Sequence, residues 1–270
     1  MPGGAAESAA VGGRCEDGAV PSPTARAFAI SDIHGHRDDL VRSLRSEGLI
    51  DASEHWSGGE DQLFVLGDLL DRGPDGIGVI RLVRRLQEEA PGQVHVLLGN
   101  HEVLALGMWL HPDEGYLPVW QRNGGIARDQ AGLTPDDVAW LSRLPAMARI
   151  GSDLLVHSDT TAYLGWGRSV DAVNAHVTSL LTRADPGGVA EVWRGLAQRR
   201  RFVGAKGVEQ AASLLAAYGG DRVVHGHSIV ATLRGTTPGH GTLSYADGKA
   251  LAIDGGRYDG GPLLLVDLSA

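Results

Sequence analysis

Short apolar runs that end in polar residues recur along the chain from Arg26 onward. The first three runs cover residues 27–30, 63–66 and 94–98. Between them, apolar residues recur at the spacing of one helix face; they are Leu40, Val41 and Leu44 in the first segment and Ile77, Ile80, Val83 and Leu86 in the second. Strands that alternate with helices predict a sheet with helices packed against its faces.

This alternation stops over residues 103–148, which carry isolated aromatic residues and the turn Gly124-Gly125. The segment ends in a predicted helix that Thr134-Pro135-Asp136-Asp137 opens, because Thr is a good N-cap and Pro fits the first helical position. We therefore expect residues 103–148 to form a helical, cap-like insertion.

Apolar runs return after the insertion, and the pattern then changes towards the end of the chain. The runs cover residues 154–156 and 223–224, and helical patterns cover residues 170–183 and 206–218. Residues 243–245 and 250–253, joined by a turn at Asp247-Gly248, predict an antiparallel hairpin, and residues 263–266 predict a last strand. The absence of a repeat or a linker predicts a single domain over residues 26–270. Residues 1–25 are small, Gly/Pro-rich and aperiodic, which predicts a disordered tail.

Composition narrows the classes of function. The 270 residues include 24 Lys and Arg against 33 Asp and Glu, a net charge of −9, which argues against nucleic-acid and membrane-surface partners. No apolar run approaches the roughly 18 residues of a membrane span, and no secretory signal opens the chain. The one cysteine, Cys15, excludes an internal disulfide and a Cys-rich zinc site. We expect a cytoplasmic protein.

Residues with metal-binding side chains follow five of the predicted strands. They are Asp32, His34, Asp68, Asn100, His157 and His227. Because the carboxyl ends of parallel strands share one edge of a sheet, these side chains are expected to meet there. Six oxygen and nitrogen donors could hold two divalent cations, and two such cations can activate water and bind a phosphoryl group.

Three sequence blocks resemble the signatures of the calcineurin-like metallophosphoesterases, in their phosphoprotein-phosphatase branch. Residues 31–35 (SDIHG), 67–73 (GDLLDRG) and 99–102 (GNHE) resemble the blocks GDxHG, GDxxDRG and GNHE. Ser31 stands where the family usually has Gly, and His157 precedes Ser158-Asp159 where the family has a small pair. Further similarity to the bacterial Shewanella-like phosphatases lies at 49–51, 55–59 and 193–195, so the resemblance covers about residues 26–256.

The resemblance implies a fold and a metal centre. It implies an α/β sandwich of central mixed sheets flanked by helices, with Asp32, His34 and Asp68 on one metal ion. Asp68 would bridge to a second ion that Asn100, His157 and His227 complete. These donors suit manganese, with iron or zinc as alternatives. His225 is the alternative to His227 as the last metal ligand, and we assign that position to His227.

The resemblance also implies catalytic roles. His101 would protonate the leaving group, Asp71 would orient it, and a hydroxide between the metal ions would be the nucleophile. Arg72 would bind the phosphate, with Arg194 as a second candidate. Arg199–Arg201 could contact an anionic substrate or form a solvated helix end. Four aromatic residues could form a substrate wall or belong to the core: Trp109, Tyr116, Trp120 and Trp166.

Three functions are compatible with these residues. We expect the first, a phosphomonoesterase that uses two metal ions and acts on a phosphoprotein or a small phosphorylated metabolite; the other two are alternatives. The second is hydrolysis of the phosphoanhydride of dinucleoside polyphosphates. The third is a catalytically inactive scaffold, which would usually have lost a metal ligand or His101, and none of these residues is lost.

Overall fold

The computed structural model describes residues 25–112, 115–239 and 241–269. Residues 1–24 of the predicted tail (1–25), which include Cys15, lie outside these ranges, as does His240. The described strands are β1 (Ala27–Ile30), β2 (Gln62–Val65), β3 (Val94–Val96), β4 (Met147–Ile150), β5 (Asp153–Val156), β6 (Arg222–His225), β7 (Leu243–Tyr245), β8 (Ala250–Ala252) and β9 (Leu265–Asp267). The described α-helices are α1 (Arg37–Ser46), α2 (Gly76–Glu89), α3 (Asn100–Leu110), α4 (Tyr116–Arg122), α5 (Ala127–Gly132), α6 (Pro135–Leu141), α7 (Val170–Thr182), α8 (Pro186–Leu196), α9 (Gly207–Tyr218) and α10 (Val230–Arg234).

The strands form two mixed sheets. The first has the order β3-β2-β1-β9, in which β1, β2 and β3 are parallel and β9 is antiparallel to β1. The second has the order β4-β5-β6-β8-β7, in which β5, β6 and β8 are parallel and the two edge strands are antiparallel to their neighbours. Each sheet therefore brings the carboxyl ends of three parallel strands to one edge.

A small apolar layer joins the two sheets. Ala29 and Phe64 of the first sheet pack in one buried cluster with Leu155, Val224 and Leu251 of the second. Successive side chains of a strand point to opposite faces, so their strand neighbours belong to the larger core that the helices cover. This sandwich confirms the predicted class of mixed sheets flanked by helices.

The segment 103–148 is mainly helical, but it ends in a strand. Its helices run from α3 to α6, and Thr134 caps α6 as expected, accepting a hydrogen bond from the amide of Asp137. Met147 then begins β4, which pairs antiparallel with β5 at the edge of the second sheet. The helical prediction missed this strand although its pairing is local, because β4 and β5 form a hairpin across the turn Gly151-Ser152. The helix α8 was also not predicted, although Asp185 before Pro186 is an N-cap signal.

Within the described part of the chain, no helix is both long enough and apolar enough to cross a membrane.

Candidate metal centre

Six polar strand-end residues converge where the two sheets meet. Asp32, Asp68, His157 and His227 offer ligand atoms that all lie within 4.8 Å of one another, and His34, Asp68 and His101 form a second such group. The remaining predicted ligand, Asn100, lies beside them, with its Oδ1 3.0 Å from Nε2 of His157. The structure thus brings all six predicted ligands together, and Asp68 belongs to both groups.

The backbone at the centre is held in an unusual conformation. The φ angles of the following residues lie in the left-handed region, which residues other than glycine rarely adopt: Asp32 at 50°, His34 at 45°, Asp68 at 56°, Asp71 at 67°, Arg72 at 65° and His227 at 62°. Such strain costs of order 1–3 kcal/mol for each residue and often marks a functional site. In this centre the backbone strain is concentrated at residues whose side chains point into one cluster.

Two glycines allow the second and third sequence blocks to touch. A Cβ atom on Gly67 would lie 2.4 Å from the amide nitrogen of Gly99, and a Cβ atom on Gly99 would lie 2.3 Å from Oδ1 of Asp68. Any larger side chain at either position would separate the loops that carry Asp68 and Asn100. The glycines of these blocks are therefore required by the close approach.

Glu102 joins the same two loops, and the sequence interpretation gave it no role. Its Oε2 accepts hydrogen bonds from the amides of Asp68 (2.8 Å) and Gly99 (2.9 Å), and its Oε1 accepts one from Leu69 (2.8 Å). Burial and the charge of Asp68 raise the pKa of Glu102 to about 7, while the amides of Leu69 and Asp68 oppose this shift. The sequence signal that could have identified Glu102 is its position as the last residue of the third block.

The contacts of three histidines determine which ring nitrogen each can offer to the cluster. His34 Nδ1 lies 3.0 Å from the carbonyl of Leu70, and His157 Nδ1 lies 2.8 Å from the carbonyl of Leu66. If each Nδ1 donates to its carbonyl, each Nε2 carries a lone pair directed at Asp68, at 3.6 and 3.5 Å from its carboxylate oxygens. His227 has the opposite orientation, since its Nε2 lies 3.3 Å from the carbonyl of Ala197.

The electrostatics of the cluster favour neutral imidazoles. Burial lowers the pKa of His34 and His227 well below the usual value, and neighbouring imidazoles and arginines add to this effect. Burial and the charge of Asp32 raise the pKa of Asp68. Neutral imidazole is the form that binds a metal ion, and Nε2 of His157 lies 3.0 Å from Oδ1 of Asn100, so both atoms could bind one cation. The donor set therefore fits divalent metal ions.

His101 and Asp71 form a buried pair beside the cluster. Nδ1 of His101 lies 2.8 Å from Oδ2 of Asp71, whose other oxygen accepts a hydrogen bond from the amide of Ile126 at 3.1 Å. Burial raises the pKa of Asp71 to about 7 and lowers the pKa of His101. Nε2 of His101 is buried and has no hydrogen-bond partner among the described residues, so this nitrogen is available to a substrate atom.

Arg72 reaches the cluster from the second block. Its Nη1 lies 3.2 Å from Nε2 of His34, and its Nε donates to the carbonyl of Asn123 at 3.0 Å. Its guanidinium carbon lies 4.1 Å from the ring centroid of Tyr258, a cation–π contact that the sequence interpretation missed. Because Asn123 and Ile126 belong to the mainly helical segment 103–148, that segment positions both Arg72 and Asp71.

The structure separates the two further arginine candidates. Arg194 is on the exposed face of α8, where it lines a groove with Tyr116 and Trp193. Arg199, by contrast, lies two residues after Ala197, the contact of His227, and its charge lowers the pKa of both His101 and His227. Arg199, which is also exposed, is therefore a further candidate for the second cation beside Arg194.

His225 points away from the metal-binding cluster. Its Nε2 lies 2.7 Å from the hydroxyl of Tyr245, and its Nδ1 lies 2.8 Å from the carbonyl of Gly226. Both ring nitrogens are therefore engaged elsewhere, which leaves the last ligand position to His227. Among the four aromatic candidates, Tyr116, Trp120 and Trp166 are buried in the core, and Trp109 is partly exposed.

Residues 25–231 match the family described as calcineurin-like phosphoesterase. The chain belongs to this family. The resemblance seen in the three sequence blocks is thereby confirmed, and this calcineurin-like phosphoesterase carries its Asp, Asn and His donors where its parallel strands end.

The relatives of this phosphoesterase differ in the activities that their names record. It is 34% identical over 82 residues to "Shewanella-like protein phosphatase 2" of Arabidopsis thaliana and 40% identical over 81 residues to "Bis(5'-nucleosyl)-tetraphosphatase, symmetrical" of Legionella pneumophila (strain Corby). These matches cover 29% and 30% of the chain, and 21% and 25% of the relatives. The fold resembles that of a cold-active protein-tyrosine phosphatase of a psychrophilic Shewanella species, with a TM-score of 0.69, 22% identity, and coverage of 90% of this chain and 75% of that one.

Proposed function

We propose that this phosphoesterase is a metal-dependent phosphomonoesterase. Two divalent cations, with manganese as the first choice, would be held by the six strand-end ligands, with Asp68 shared between them. When bound, such ions supply an activated water and neutralise charge on the phosphoryl oxygens. The substrate would be a phosphorylated protein or a small phosphate ester.

The observation that carries the proposal is the buried pair His101–Asp71. An alkyl phosphate leaves as a strongly basic alkoxide, which needs a proton. With the Asp71 carboxylate 2.8 Å from Nδ1, the ring would act as an imidazolium that Asp71 stabilises; it would donate the proton of the otherwise unpaired Nε2 to the leaving alkoxide and return to neutral imidazole. A terminal phosphate of a nucleotide is a weakly basic leaving group and gains less from such a donor.

Hydrolysis of dinucleoside polyphosphates is the second candidate. The name of the Legionella relative supports it, and the same two metal ions could act on a phosphoanhydride. Under this alternative, the pair His101–Asp71 would contribute little to the rate.

A substrate panel tests the proposal. Protein stripped with a chelator and reloaded with Mn²⁺ should hydrolyse a phosphoserine peptide or a sugar phosphate with a higher kcat/KM than diadenosine tetraphosphate. Chelated protein without added metal serves as the control and should be inactive. Turnover of diadenosine tetraphosphate alone would replace the proposal with the second candidate.

Arg72 and Arg199 are expected to bind the substrate phosphate. Arg72→Ala should lower kcat about 10²-fold and raise KM at unchanged metal content, because this cation stabilises charge on the phosphoryl group. Arg199→Ala should lower kcat/KM by roughly tenfold. Steady-state kinetics with p-nitrophenyl phosphate and metal analysis measure both effects.

Arg194→Ala is the matched comparison for Arg199→Ala. A larger loss from Arg194→Ala than from Arg199→Ala would favour Arg194, the residue assigned from the sequence. Loss of metal from Arg72→Ala would make Arg72 a structural residue.

A further inference from the structure

Asp254 follows a sixth parallel strand, in the same manner as the metal ligands. Strand β8 runs parallel to β6, and Ala252 is paired with His225. Asp254 lies two residues after Ala252, and the ligand His227 lies two residues after His225. Asp254 therefore lies at the edge of the sandwich where the ligands converge, and its backbone carbonyl accepts a hydrogen bond from Val230 at 2.9 Å.

The side chain of Asp254 is buried and only half satisfied. It is 2% exposed, and its Oδ1 accepts a hydrogen bond from the amide of Gly256 at 2.8 Å. Its Oδ2 has no hydrogen-bond partner among the described residues. A buried carboxylate oxygen without a partner is costly unless a ligand or cation compensates it.

The charges near Asp254 are those of the metal centre. Besides burial, the charges of Asp32 and Asp68 raise the pKa of Asp254, and the charge of Arg72 opposes them. Three buried carboxylates thus share one region. Asp254 is not part of either group whose ligand atoms lie within 4.8 Å of one another, so it is outside the ligand sets that these distances define.

We infer that Asp254 belongs to the metal centre as an outer carboxylate, whose unpaired Oδ2 strengthens the binding of divalent cations without contacting them. The inference rests on the dinuclear centre of the proposed function. Oδ2 adds negative charge beside Asp32 and accepts a hydrogen bond from a group bound at the centre. Outer partners of this kind are typically worth 10–100-fold in metal affinity.

Asp254→Asn separates this role from a purely structural one. The amide keeps the size of the side chain and an oxygen that can accept from Gly256, but it loses the charge and one acceptor. Titration of the metal-free full chain with Mn²⁺, by calorimetry or chelator competition, should give a Kd that is about 10–100-fold weaker than that of the wild type.

Asp129→Asn is the matched control. Asp129 is also buried, also has one carboxylate oxygen without a hydrogen-bond partner among the described residues (Nε of Arg128 lies 3.9 Å from it), and accepts a hydrogen bond from the amide of Gly76, but it is not part of the ligand groups. Its substitution should leave the Kd for Mn²⁺ unchanged. An equal loss of affinity in both variants would show a general effect of buried charge and would overturn the inference.

The remaining outcomes are also decisive. A wild-type Kd in Asp254→Asn would assign Asp254 to the turn alone. If Asp254→Asn is less stable than the wild type without metal, the two proteins are compared by the increase in Tm that Mn²⁺ produces in each. Equal increases would overturn the inference. If the wild type itself binds no divalent cation, the proposed function fails instead.

Discussion

Asp68→Asn is expected to lose both metal ions together. Asp68 is the residue common to both ligand groups, and its two carboxylate oxygens lie 3.6 and 3.5 Å from Nε2 of His34 and His157. An amide offers one oxygen where two are needed and removes the negative charge between two cations. Metal affinity at both sites should fall by more than about 100-fold, above the range for residues outside the ligand set, and activity should fall with it. Metal analysis and Mn²⁺ titration measure the loss.

Asp221→Asn provides a control at the other end of the second sheet. Asp221 is an exposed residue that immediately precedes β6, so its substitution should change neither metal content nor rate. Loss of a single ion from Asp68→Asn would assign the residue to one site, and full occupancy would exclude it from bridging.

His101→Asn should discriminate between leaving groups. The variant should keep both metal ions, because the six predicted ligands remain, and it should lose about 10²–10⁴-fold in rate on an alkyl phosphate. The loss on p-nitrophenyl phosphate should be far smaller, because p-nitrophenolate is weakly basic and leaves without a proton. Asp71→Asn should show the same selectivity with a smaller loss, since it acts through the 2.8 Å contact with His101.

Single-turnover rates are the quantity to compare, because chemistry must be rate-limiting in both reactions. His176→Asn, on the solvent side of α7, is a control that should match the wild type on both substrates. Equal losses on the two substrates, with metals retained, would show that His101 stabilises charge on the phosphoryl group and is not the proton donor.

Local sequence patterns were sufficient for the part of the site that comes from β1, β2 and β3. Each of these strands is an apolar run with a polar residue shortly after it, and their parallel pairing makes neighbours of successive blocks. Such residues can be placed at one edge from the chain alone.

The sequence analysis did not identify Asp254 because the strand before it, β8, pairs with the distant strand β6. The run 250–253 was correctly assigned to a hairpin with 243–245, and that antiparallel pairing is present between β7 and β8. The second neighbour of β8 is β6, more than twenty residues away along the chain, and no local pattern reports this parallel pairing. The contact of Tyr258 with Arg72 depends on tertiary structure in the same way.

The apolar layer between the two sheets is thin, and the donors of the metal centre come from both sheets. Asp32 and Asp68 extend from one sheet and His157 and His227 from the other, while His157 also contacts the carbonyl of Leu66 across the interface. A cation bound between them is therefore a crosslink of the sandwich. Its binding would add RT ln(1 + [M]/Kd) to the free energy of unfolding, so a chelator should lower the Tm of the metal-loaded protein.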